Sequence, residues 1–124
     1  MCTVTYLPFK YGCFLTSSRD ESIARPKALA PEVYHDNHCK LIYPKDAKAN
    51  GSWIAVAENG NAAILLNGAF VKHIAKPPYR KSRGLILLDV IASAIPELYF
   101  LEMDLNNIEP FTLVLFIHGF LFEA

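Results

Sequence analysis

The stretch WIAVAENGNAAILLN, residues 53–67, constrains the fold more than any other. Two apolar, β-forming runs flank Glu58-Asn59-Gly60-Asn61, and Asn-Gly supplies the positive φ angles that a tight type I′ turn requires. Antiparallel sheet must be built around such a hairpin. A second hairpin opens the chain, where residues 2–7 and 12–16 are short runs of β-branched and aromatic residues separated by Pro8, Lys10 and Tyr11. The prolines Pro26, Pro31 and Pro44 stud the segment between the two hairpins, which reads as loop or irregular edge structure for most of its length.

A different period follows. In SRGLILLDVIASAIPELYF, apolar residues at Leu85, Ile86, Leu88, Ile91, Ala92 and Ile95 fit a helix that Ser82 can cap, and Pro96 breaks it or starts a short second turn. The polar stripe of Asp89 and Ser93 is narrow, so this helix belongs between other layers. FTLVLFI is a last strand, and HGFLFEA looks like the start of its partner. The order of elements predicts an α+β fold of antiparallel sheet with helices packed on it. Such an ending leaves apolar surface without evident cover, which invites self-association.

At 124 residues, with 52% hydrophobic and 19% charged, the chain has enough apolar material for one folded domain. Its 12 basic and 12 acidic residues cancel, so no global charge draws it to nucleic acid or an anionic membrane. The longest apolar stretch, residues 111–122, falls short of the roughly 20 residues a membrane-spanning helix needs. There is no secretory signal pattern, and the three cysteines Cys2, Cys13 and Cys39 read as free thiols of a cytoplasmic protein.

Chemistry is expected where the first hairpin closes. Cys2 is small enough for Met1 to be removed before it, which would leave a thiol and a free α-amine on one residue. An α-amine of pKa about 7.7–8.0 can act as a general base near neutral pH. If the first two strands pair, Arg19 and Asp20 return towards Cys2, where Arg19 would favour the thiolate and Asp20 would hold the ammonium formed by proton transfer. Two structural readings compete: Cys2 as a buried strand residue, and Ser18-Arg19-Asp20-Glu21 as a helix capping box.

Further along, His35, Asp36, His38 and Cys39 are dense in potential ligands but lack the paired spacing of a zinc module, so neither a metal nor another cofactor is expected. Lys72, His73, Lys76, Tyr79, Arg80, Lys81 and Arg83 form a basic run before the helix. This run is either a solvated loop or, because positive charge at a helix N-terminus is unfavourable without a counterion, a site for a phosphate or carboxylate on the substrate.

The chain resembles the NRDE family, also called the Transport and Golgi organisation 2 family. The resemblance is carried by Met1-Cys2, Ser18-Arg19-Asp20-Glu21-Ser22, Ala24-Arg25-Pro26, Lys45-Asp46, Gly51-Ser52-Trp53, Leu66-Asn67, Ser82-Arg83-Gly84 and Ile108-Glu109-Pro110-Phe111, in the family's order. It implies a four-layer αββα sandwich of the N-terminal-nucleophile hydrolase type, of which this chain would be the N-terminal half. Cys2 would attack a carbon-nitrogen amide bond, Arg19 and Asp20 would be its polar partners, and Asn67 would donate to the oxyanion, although Asn67-Gly68 is also a good turn dipeptide. The chain departs from the family at Ser18, whose single hydroxyl replaces the two-donor amide of Asn. Two functions follow from the resemblance: hydrolysis of a small-molecule amide, or carriage of haem or another small ligand in trafficking, without catalysis.

Overall fold

The structure, a computed structural model, describes residues 2–36, 39–68, 71 and 73–124. These residues make an α+β fold, with two antiparallel sheets and two helices among them. Strands β1 (Thr3–Phe9) and β2 (Gly12–Ser18) form a two-stranded sheet, as the opening segments suggest. The second sheet is a six-stranded antiparallel meander of β3 (Leu29–Asp36), β4 (Cys39–Lys45), β5 (Ile54–Ala57), β6 (Ala62–Asn67), β7 (Phe111–Ile117) and β8 (Phe120–Glu123).

The Asn-Gly hairpin forms β5 and β6, but its turn is not type I′. Gly60 has a φ of 85° while Asn59 does not enter the positive region, because the Asn59 side-chain oxygen accepts the Asn61 N–H at 3.0 Å and holds a local Asx turn. Both positive φ angles of a two-residue turn occur instead at His118 (49°) and Gly119 (87°), between β7 and β8. The hairpin β3–β4 is the other departure from expectation. Pro31 sits within the register shift between Leu29 and Glu32 on the edge strand β3, where a missing N–H costs least. Tyr34 and Tyr43 stack with ring centroids 4.1 Å apart and join this hairpin to the core.

Helix α1 (Arg83–Ala92) begins at Ser82, whose side chain caps Leu85 N–H, and α2 (Pro96–Glu102) begins at Pro96, whose missing N–H is harmless at a first helical position. Ile86, Leu87, Val90 and Ile91 of α1 pack against Ala63, Leu65, Leu113 and Leu115 of the large sheet. All are at most 5% exposed, and each Val, Leu or Ile buried this way is worth about 1.5–3 kcal/mol. Strand alternation turns Ile64 to the opposite face, where it is also fully buried, and the ring of Tyr6 in β1 lies 6.3 Å from Phe116 on that side. Helices, large sheet and small hairpin therefore make three successive layers. Leu7, Phe9 and Phe14 stay exposed on the hairpin's outer face. Among the described residues, no helix is long and apolar enough to cross a membrane.

Candidate active site

Pairing of β1 with β2 aligns Thr3 with Ser18, Val4 with Ser17 and Tyr6 with Leu15. The pairing ends there, with Cys2 directly before β1 and Arg19 directly after β2. Val4, Ser17 and Tyr6 share the face of the hairpin that looks onto the large sheet. Cys2 and Arg19 line a common cleft of about 340 Å3. Ser18 and Asp20 are exposed and lie outside the cleft lining. No helix follows Ser18, so the capping-box alternative is not realised; the chain makes a turn closed by Arg25 N–H to Ser22 O.

The Arg19 guanidinium is held on three sides. It lies over the Trp53 ring at 4.3 Å from the centroid, and donates to Asp46 Oδ2 at 2.5 Å and to Glu21 Oε1 at 2.8 Å. Asp46 also takes a hydrogen bond from Arg25 Nε at 2.9 Å on the same oxygen, while Oδ1 accepts the backbone N–H groups of Lys48 and Ala49. Burial alone would raise the pKa of this carboxyl. The hydrogen bond from Arg25, the two backbone N–H groups and the Arg25 charge outweigh it and hold Asp46 well below the usual carboxylate range. Arg25 is raised in turn, chiefly by the same hydrogen bond.

The facing wall is the start of α1. Gly51 and Gly84 bring two backbones together: a Cβ on Gly51 would lie 2.4 Å from the Gly84 carbonyl carbon, and a Cβ on Gly84 2.8 Å from Ser52 O. Ser52 N–H donates to Gly84 O at 3.2 Å, so the loop after Asp46 abuts the helix N-terminus. The Gly51-Ser52 and Ser82-Arg83-Gly84 motifs are thus two halves of one contact.

Among the described residues of the basic run that flanks this wall, His73, Arg80, Lys81 and Arg83 each have a carboxylate partner. Arg83 pairs with Glu109 at 3.0 Å, Glu109 also reaches His73 Nε2 at 3.2 Å, and Lys81 pairs with Asp89. Arg80 pairs with Asp104 at 3.5 Å and donates to the carbonyls of Asp104 and Asn106, outside the cleft. The charge expected to call for an external anion is therefore balanced within the chain. Arg83 and Tyr79 do line the cleft, Tyr79 with its hydroxyl accepting Lys76 N–H at 2.7 Å. Lys72 lies outside the described residues.

Asn67 lines the cleft from the end of β6, and Gly68 next to it has a φ of 86°. The positive φ of Gly68 suits the turn reading of the Asn67-Gly68 pair. The pattern around the β3–β4 turn is less informative: His38 lies outside the described residues, and the Cys39 thiol is pushed up by burial, then by Asp36 and Glu58. Arg25, Asp46, Trp53 and Glu109 were not expected as site residues. Their only signal in the sequence was membership of the motif blocks, because their roles depend on chain segments far apart in sequence.

No curated protein and no solved structure gives a significant match. The sequence model of the Transport and Golgi organisation 2 family matches residues 1–118, which take in every element that builds the cleft. The chain belongs to the Transport and Golgi organisation 2 family.

Proposed function

We propose that the chain, once Met1 is removed, is an N-terminal cysteine amidohydrolase acting on a small-molecule amide. The observation that carries this reading is one cleft lined together by Cys2, Arg19 and Asn67, beside the end of the β1–β2 pairing. A volume of about 340 Å3 is at the small end of ligand sites, which suits a compact substrate.

In the proposed reaction the thiol proton passes to the α-amine of the same residue, and the sulfur attacks the amide carbon. Arg19 stabilises the anionic sulfur and Asn67 donates to the oxygen of the tetrahedral intermediate. The carbon-nitrogen bond then breaks, the leaving amine takes the proton from the ammonium, and a thioester is left on Cys2. Water deprotonated by the α-amine hydrolyses that thioester. Asp20, at the strand end beside Arg19, is assigned to the ammonium form; Tyr79 and Arg83 border the substrate.

Intact-mass measurement and an electrophilic amide probe test this. The purified chain should lack Met1, and the probe should label the wild type, label Asp20→Asn weakly, and leave Cys2→Ala untouched. Equal labelling of all three would remove the hydrolase reading, and a shifted Soret band on haem titration would then favour a carrier.

A further inference from the structure

Among the groups around Arg19, Asp46 is the one fixed to the large sheet. Glu21 is two residues along the same segment and 28% exposed at its side chain, so it moves with Arg19. Trp53 offers a flat face that resists tilting but does not stop sliding. Asp46 directly follows β4, is 8% exposed at its side chain, and has its second oxygen fastened by Lys48 and Ala49 N–H. An arginine side chain carries about 2 kcal/mol of rotamer entropy, so a long reach from the end of β2 needs such an anchor to keep one position.

We propose that Asp46 is a positioning residue: it fixes the Arg19 guanidinium against Trp53, on the cleft wall shared with Cys2. The inference rests on the reading of Cys2 as nucleophile. Position and charge make opposite demands here, which makes the role testable. As a bare negative charge, Asp46 would oppose an anionic sulfur, and its removal would speed reaction at Cys2. As an anchor, its removal lets Arg19 wander and slows that reaction. Asparagine cannot replace it, because one side-chain oxygen cannot serve two guanidinium donors and two backbone N–H groups.

The test is the pH–rate profile of iodoacetamide alkylation, resolved by peptide mass spectrometry at Cys2, Cys13 and Cys39. Asp46→Asn should slow Cys2 on the order of tenfold at neutral pH and move its profile to higher pH. Asp46→Glu keeps the charge, displaces it by one methylene, and should shift the profile the same way by less; it carries the test if Asp46→Asn does not fold. In an Arg19→Ala background neither change should add anything further. Faster alkylation, an unmoved profile in the variants, or full additivity with Arg19→Ala would overturn the positioning role alone. Wild-type Cys2 reacting no faster than Cys13 and Cys39 would overturn the nucleophile reading itself.

Discussion

The two walls of the cleft carry the same chemistry in different settings. On one, Asp46 receives Arg19 and Arg25 with its side chain 8% exposed and both oxygens occupied. On the other, Glu109 receives Arg83 and His73 with its side chain 25% exposed. A guanidinium–carboxylate pair near water is worth little, whereas a buried carboxylate that has lost its water depends on every partner it keeps. The Asp46 wall is thus a rigid mount, and the Glu109 wall is a balanced rim that can yield to a ligand.

The strongest way to break this comparison is to separate the walls. Gly51→Ala places a Cβ 2.4 Å from the Gly84 carbonyl carbon, a clash with backbone that only movement of α1 can relieve. Urea unfolding should show a loss of about 3 kcal/mol. Asp46→Asn, which breaks at least one charge-assisted bond in a buried site, should cost about 2 kcal/mol in the same measurement. The depressed pKa of Asp46 adds a pH dependence with a definite sign. Its contribution is fully present above the ordinary aspartate value of about 3.9 and is lost as pH falls below it towards the folded value. Acid titration should therefore show a shallower loss of stability below about pH 4 in Asp46→Asn than in the wild type. Glu109→Gln should cost under about 1 kcal/mol, and added salt should narrow that difference further. A Glu109 effect equal to that of Asp46 would erase the distinction between the walls.

Legibility in the sequence followed how local the cause was. The β1–β2 and β5–β6 hairpins, the Ser82 cap, Pro96 at the start of α2 and the β7 strand were readable, since turn chemistry and period act over a few residues. The β3–β4 hairpin was not. Only Tyr34 in β3 is partly buried, so this edge strand has no apolar alternation to detect, and Pro31 imitates a break although it sits at a bulge. The turn at Asn59-Gly60 was misassigned because an Asn side chain can close its own turn. Cys2 and Arg19 line one cleft, a neighbourhood that pairing of the first two strands makes legible. Ser18 and Asp20 are exposed and outside the cleft lining, a placement the motif does not display. Arg80 pairs with Asp104 outside the cleft, and Asp46 takes its partners Arg19 and Arg25 from segments well separated from it in the chain.

The central claim is that Cys2 is an activated N-terminal nucleophile in this cleft. Peptide mass spectrometry after exposure to an electrophilic amide probe tests it most directly. The account predicts a chain lacking Met1, with one adduct on Cys2 that disappears in Arg19→Ala. A chain that keeps Met1, or an adduct spread evenly over Cys2, Cys13 and Cys39, would contradict it.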